Sequence, residues 1–95
     1  MKREDFVWTI GYQDDVAIVD GPARKRYRNK SAEELLQEGL YRAAFCAAVY
    51  DDQTEDFLPR FVEQTGIKAG TTEYLQRLYG VFGIPRGVRK VSVIG

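Results

Sequence analysis

Residues 43–49 read Ala-Ala-Phe-Cys-Ala-Ala-Val and leave almost no polar side chain on any face of a helix. A helix that is apolar all round is buried all round, because it has no polar stripe to turn towards water. The alanines would also let neighbouring backbones approach closely. We therefore predict that a helix over residues 40–50 lies at the centre of the fold.

Helices are also predicted before and after this central segment. Ser31-Ala32-Glu33-Glu34 is a capping box, which predicts a helix start at Ser31 and a break at Gly39. Asp56 is a suitable N-cap for the next helix, since Pro59 then falls in its first turn. Gly66 is predicted to end this helix, because glycine readily adopts the left-handed conformation found at helix C-termini.

A last helix is predicted to begin at Thr71 or Thr72 and to stop at Gly83 and Pro85. Its apolar residues recur at helical spacing, which predicts one buried side. That side consists of Tyr74, Leu75, Leu78, Tyr79 and Phe82.

The two ends of the chain have the pattern of strands. Phe6, Trp8, Ile10 and Tyr12 recur with period two, which predicts a strand with these large side chains on one face. Residues 16–19 would complete a hairpin, residues 25–28 could add a short third strand, and residues 89–94 read as a closing strand.

Strands followed by three or four helices and a final strand indicate the α+β class. We predict a small antiparallel sheet, made of the N-terminal hairpin and the C-terminal strand, covered by three or four helices. No repeat, linker-like stretch or low-complexity tract interrupts the chain, so residues 1–95 are expected to form a single domain.

Composition excludes several kinds of chemistry. The chain has no histidine and one cysteine, which removes Ser-His-Asp and Cys-His catalysis, zinc sites with histidine or four cysteines, and disulfides within the chain. Turn formation explains the paired acids Asp14-Asp15 and Asp51-Asp52. We expect neither an enzyme nor a bound cofactor or metal.

The chain also lacks the signals of secretion or membrane insertion. Its start has no apolar signal segment, and its longest apolar runs are eight residues, against about 20 for a membrane-spanning helix. We expect a cytoplasmic protein without a membrane partner.

One segment resembles a known recognition motif. Residues 61–67, Phe-Val-Glu-Gln-Thr-Gly-Ile, followed by Thr71 and Thr72, resemble the helix-turn-helix of DNA-binding regulators. The resemblance implies that a second helix enters the major groove of DNA. It also implies that the next strand acts as a wing, which contacts the phosphate backbone. The DNA-facing residues would be Lys68, Thr71, Thr72, Glu73, Gln76 and Arg77, with Arg86, Arg89 and Lys90 on the wing. An ordinary helix pair with a glycine cap uses the same residues.

A second basic group lies earlier in the chain and consists of Arg24, Lys25, Arg26, Arg28 and Lys30. These cations, interleaved with Tyr27, could neutralise phosphates while the ring stacks on an unpaired base. A solvated strand edge that resists aggregation explains the same residues. They could also pair with the acidic stretch over residues 51–56.

The balance of charges and the aromatic content favour protein binding. Fourteen basic and fourteen acidic residues give a net charge of zero, which argues against binding nucleic acid with the whole surface. Twelve aromatic residues are more than so small a domain needs for its core, and tyrosine and tryptophan are enriched at interfaces. We therefore predict a non-enzymatic module that binds a protein partner or itself as a homodimer. The alternative is a nucleic-acid-binding regulator using residues 57–82.

Overall fold

The computed structural model describes all residues from Met1 to Gly95 and contains six helices and three strands. The chain packs into two compact units, the first made of residues 1–30 and 84–95 and the second of residues 31–83. The α+β class is confirmed, whereas the single domain expected over residues 1–95 stays a prediction. None of the six helices has the length and apolar composition needed to cross a membrane.

The first unit contains α1 (Arg3–Val7), β1 (Thr9–Gln13), β2 (Val16–Asp20), α2 (Gly21–Arg26) and β3 (Lys90–Ile94). The strands lie in the order β1-β2-β3, so the predicted association of the hairpin with the C-terminal strand is confirmed. Strand β1 is antiparallel to β2, but β3 is parallel to it, which makes the sheet mixed rather than antiparallel. The Asp15 carbonyl accepts hydrogen bonds from the backbone N–H groups of Arg89 and Lys90 and so aligns the starts of β2 and β3.

The strand predicted to start at Phe6 is wrong in its first half. Residues 3–7 form α1, whose first turn carries Glu4 and Asp5, where carboxylates interact favourably with the helix dipole. A register shift between Thr9 and Gly11 then interrupts the alternation in β1. As a result Phe6 is buried while Ile10 and Tyr12 are exposed, so these residues do not share one face.

The third strand considered over residues 25–28 is also wrong, because residues 25 and 26 end α2 and residues 27 and 28 form the turn after it. The Asp20 side chain accepts a hydrogen bond from the Ala23 N–H and caps the helix, and a proline in the first turn has no N–H to satisfy. Gly21 is required here by a close approach. A Cβ at this position would lie 2.7 Å from the Ile94 carbonyl oxygen and 2.9 Å from Val93 Cγ1.

The second unit consists of α3 (Ala32–Gln37), α4 (Tyr41–Tyr50), α5 (Thr54–Thr65) and α6 (Thr72–Tyr79). The capping box at Ser31 is confirmed in both directions, and Gly39 separates α3 from α4 with φ of +80°. Residues 43–48 of α4 are all buried, which confirms the central helix. Around Phe45 lie the rings of Phe57 and Tyr79, each with its centroid 6.1 Å away.

Helix α5 begins earlier than predicted, so Asp56 is not its N-cap. The Phe57 N–H already donates to the Gln53 carbonyl at 3.0 Å, and Asp56 therefore lies within the first turn. Pro59 consequently lies inside the helix rather than in its first turn. The predicted end is confirmed, because Gly66 adopts the left-handed conformation with φ of +73°.

Helix α6 begins as predicted but buries less than predicted. The Thr71 side chain caps it by accepting from the Tyr74 N–H. The predicted stop at Gly83 and Pro85 is wrong, because Gly80 in the left-handed conformation already ends the helix. Of the five residues assigned to its buried side only Leu75 is fully buried and Tyr79 is half-buried. The other three, Tyr74, Leu78 and Phe82, are exposed.

We expect Gly21→Ala to destabilise the protein by about 1–3 kcal/mol, because the new Cβ would overlap the backbone of β3. Gly87→Ala is the matched control, since a Cβ there meets no atom within 4 Å. Chemical denaturation of both variants measures the difference. Equal midpoints for the two variants would contradict the close approach of α2 and β3.

Candidate functional site

The main exposed apolar feature of the second unit is the α6 stripe, which we define as Tyr74, Leu78 and Phe82. The first two residues are one helical turn apart, and their exposed fractions are 45% and 49%. Phe82 follows the helix end and is 69% exposed, while its neighbour Val81 is buried and donates its N–H to the Gln76 carbonyl. This backbone hydrogen bond and the burial of Val81 fix the segment that carries Phe82.

The inner side of α6 is held by different residues. Leu75 is buried, and the Tyr79 ring packs edge-on against Phe61 with centroids 6.3 Å apart. The Arg42 Nε–H also donates to the Tyr79 carbonyl at 3.4 Å. Helix α6 therefore has one apolar side anchored in the second unit and a second apolar side exposed to solvent.

Two opposite charges on α6 lie close to the stripe. Glu73 precedes Tyr74, Arg77 precedes Leu78, and both charged residues are exposed. Neither forms an ion pair or a side-chain hydrogen bond within the chain. The stripe is thus accompanied by one unpaired carboxylate and one unpaired guanidinium.

The predicted basic group over residues 24–30 is largely engaged within the first unit. Arg24 pairs at 2.5 Å with the buried Asp5, and Arg28 Nε lies 3.2 Å from Glu4 Oε2. The Arg26 guanidinium lies 5.5 Å from the centre of the Tyr27 ring. Carboxylates of α1 therefore neutralise two of the cations that were candidates for contact with phosphate.

The ring expected to stack on a base is also occupied. Trp8 stacks on Tyr27 with ring centroids 5.2 Å apart, and Arg26 is a second neighbour of the same ring. Of the remaining cations in this group, Lys25 is exposed, and it lines an open groove of about 390 Å³ with Arg24 and Arg28. Lys30 is half-buried, and its backbone N–H donates to the Tyr27 carbonyl.

The structure does not merge the two basic groups of the first unit. The exposed basic group lies before β3 and at its first residue and consists of Arg86, Arg89 and Lys90. The groove that contains Lys25 is lined by Val93 and Gly95, which lie at the opposite end of the strand. At about 3.3 Å per residue, the length of β3 separates them by roughly 13–16 Å. The other predicted contacts, Lys68, Gln76 and Arg77, belong to the second unit.

The helix pair differs from the motif that it resembles. Six residues, 66–71, separate α5 from α6, whereas a helix-turn-helix has a turn of about three or four. Ala69 in this connection is buried, and Ile67 donates its N–H to the Thr65 hydroxyl. The exposed side of α6 also presents Tyr74 and Leu78, and Arg77 is the one cation of the helix.

Strand β3 is the second exposed apolar feature, and we call residues 90–94 the β3 edge. It pairs with β2 on one side only, because it is an outer strand of the sheet. The exposed fractions of Val91, Val93 and Ile94 are 39%, 45% and 46%. Their neighbours Ala17 and Val19 on β2 are fully buried. The role expected for this strand was a wing that contacts phosphates through Lys90, and its apolar residues were assigned no function.

The remaining reactive groups do not form a site. Burial raises the pKa of the Cys46 thiol, and the nearby Arg42 only partly opposes this. No three acidic or cysteine side chains converge in a way that could hold a metal ion. Asp14 and Asp52 both have φ of 54°, as expected for acids that form turns.

Comparisons with protein-family models, with curated proteins and with solved structures find no match to this chain. A function therefore has to be inferred from its own surfaces. The α6 stripe and the β3 edge both combine exposed apolar side chains with a defined backbone geometry.

We expect the free energy of unfolding to fall as the pH rises above about 9, partly through Cys46. In the unfolded chain this thiol ionises near its ordinary pKa of 9.0, whereas burial keeps it protonated in the folded state. Above pH 9 the unfolded state then binds fewer protons and is favoured, until the folded thiol also ionises. Urea denaturation from pH 8 to 11 measures this slope.

Cys46→Ala is the control for this experiment, and its slope should be shallower. The slopes are compared rather than the absolute stabilities, because removal of the sulfur lowers stability at every pH. Identical slopes would show that Cys46 is not sealed from solvent. Tyr79, whose pKa is raised by burial and by Tyr41, contributes equally in both proteins.

Proposed function

We propose that this protein is a non-enzymatic interaction module that self-associates, with the α6 stripe as the contact between two copies. The observation that carries the proposal is the exposure of Tyr74 and Leu78, one helical turn apart on α6, at 45% and 49%, and of Phe82 just after the helix at 69%. Large apolar side chains arranged together on a surface are typical of interfaces. Tyrosine and phenylalanine also supply much contact area at a low entropy cost.

The charges beside the stripe favour a second copy as the occupant. When two α6 helices pack antiparallel by their exposed sides, about a two-fold axis midway between Glu73 and Arg77 along the helix, Glu73 of each copy approaches Arg77 of the other. Every contact then occurs twice, as in any two-fold interface. The pairing satisfies two charges that have no partner within one chain, and opposite charges placed in this way fix the register of an interface.

The size of the stripe indicates how tight the contact is. Helix α6 has eight residues and is about 12 Å long, so two such stripes bury less surface than a permanent dimer requires. A dimer of this kind exchanges with monomers and depends on concentration.

The alternative of nucleic-acid binding has less support. The Arg24–Asp5 and Arg28–Glu4 pairs reduce the positive charge of one basic group. The helix expected to enter the major groove has one cation and exposes an apolar side. This alternative depends on the exposed basic group made of Arg86, Arg89 and Lys90.

We expect the average mass measured by analytical ultracentrifugation to rise with concentration from the monomer value of 10.9 kDa towards twice that value. Leu78→Glu should weaken the association strongly, because it places a carboxylate in the apolar contact. Gln64→Glu, at an exposed position of α5, adds the same charge and should leave the association unchanged. A wild-type protein that stays monomeric at millimolar concentration would exclude self-association.

Charge reversal tests the antiparallel arrangement. Glu73→Arg and Arg77→Glu should each weaken the dimer, since each brings like charges together across the interface. The double variant restores opposite charges and should recover most of the affinity. Equal effects of the single and double variants would show that these residues do not face each other in the dimer.

We expect no measurable binding of duplex DNA to the wild-type protein at low salt. Fluorescence anisotropy with a labelled duplex measures it. Binding that weakens steeply with salt would instead support the nucleic-acid alternative, and Arg86→Ala, Arg89→Ala and Lys90→Ala together should then flatten that salt dependence.

A further inference from the structure

We infer that the β3 edge is a second self-association surface, at which β3 pairs antiparallel with β3 of another copy. The two three-stranded sheets would then join into one sheet of six strands. This surface lies in the first unit and goes beyond the proposed function, because it does not depend on the α6 stripe.

The β3 edge has the features of a strand that accepts a partner. It is regular over five residues, each in direct register with β2 from Val16–Lys90 to Asp20–Ile94. The exposure of all five residues leaves its outer side accessible. Backbone N–H and C=O groups on that side have no strand to bond, and such an edge is a template for another strand.

The opposite edge of the same sheet is less suitable. Strand β1 contains Gly11, and its register with β2 shifts between Thr9 and Gly11. Irregularities of this kind protect an edge against pairing, because they break the straight row of backbone groups. The asymmetry between the two edges favours β3.

The sequence of β3 is complementary to itself in one register. With Ser92 opposite Ser92 of the second copy, Val91 faces Val93 and Lys90 faces Ile94, so all five residues are paired. The two Lys90 side chains then lie about 13 Å apart along the strand and do not repel each other at close range. A shift by one residue would place the valine face of one copy beside the Lys90 and Ser92 face of the other.

This register also continues the apolar side of the sheet. Val91 and Val93 pair with Ala17 and Val19, and directly paired residues point to the same side of a sheet. The buried pair on β2 is thus followed by the exposed valines of β3 and then by the valines of the second copy. Cross-strand contacts between β-branched side chains stabilise such a junction.

A cysteine at the centre of the register tests the proposal directly. In a Cys46→Ala background, Ser92→Cys would place two thiols on directly opposed residues, whose Cα atoms are about 4.5–5.5 Å apart. That distance is within the range of a disulfide. We expect air oxidation to convert most of this variant into a covalent dimer, measured by non-reducing electrophoresis, and to leave the circular dichroism spectrum unchanged.

Lys90→Cys in the same background is the matched control. It places a thiol on the same strand but far from its counterpart, so it should remain almost entirely monomeric. Absence of the Ser92→Cys dimer would overturn the proposal. Equal cross-linking of both variants would also overturn it, because it would indicate random collision instead of a fixed register.

The two surfaces can be separated by combining variants. The Ser92→Cys dimer should form equally well with Leu78→Glu present, and its loss there would contradict a contact independent of α6. If Leu78→Glu leaves the mass of the wild-type protein unchanged while Ser92→Cys still cross-links, the α6 proposal fails and the β3 proposal stands.

A charge at the same position gives a second readout without a disulfide. Ser92→Lys brings two ammonium groups together at the centre of the register and should remove the association that remains in Leu78→Glu at high concentration. Gln13→Lys adds the same charge to the outer strand β1 and should have no effect. Equal masses for the two lysine variants would reject the β3 contact.

Discussion

The enclosure of α4 is the constraint on which the second unit depends. Its alanines allow other helices to approach closely, and Phe45 fills the space that they leave, in contact with Phe57 and Tyr79. Helix α6 takes part in this packing through Leu75 and Tyr79. Because successive residues of a helix are about 100° apart, turning these two inwards leaves Tyr74 and Leu78 towards solvent. The packing that stabilises this unit therefore also creates the apolar surface on which the proposed self-association depends.

Ion pairs in the first unit have the opposite effect, because they reduce a charged surface that could have bound a partner. The buried Asp5 and the half-buried Glu4 of α1 pair with Arg24 and Arg28. A buried carboxylate needs such a partner, since an unpaired charge in the interior is costly. These arginines consequently serve the fold, and the carboxylates of α1 reduce the positive charge of the basic cluster. This is the main physical reason to favour protein binding over nucleic-acid binding.

Local signals in the sequence predicted the helices of the second unit well. The capping box at Ser31, the break at Gly39 and the cap at Gly66 each depend on a few adjacent residues, and each is confirmed. The prediction was wrong at the short helices α1 and α2, and at the direction of β3, where a longer-range contact decides. Alternation at Phe6 and Trp8 was interrupted by the short helix α1, and the direction of β3 depends on the bonds of Asp15 to Arg89 and Lys90. The exposure of the α6 stripe could not be predicted from the sequence pattern. The residues of the stripe and those of the buried side together span only about 140° of the helix, which is the width of an ordinary apolar face.

The first unit is assembled from both ends of the chain, with residues 31–83 inserted between α2 and β3. During synthesis on the ribosome, β1 and β2 emerge long before their third strand, whereas the helical segment can begin to form from local contacts. The parallel pairing of β3 with β2 joins residues more than seventy positions apart and is slow to form for that reason. Until then the side of β2 that β3 will cover is open to other strands. A nascent chain therefore passes through a stage in which Ala17 and Val19 lack their final neighbours on β3.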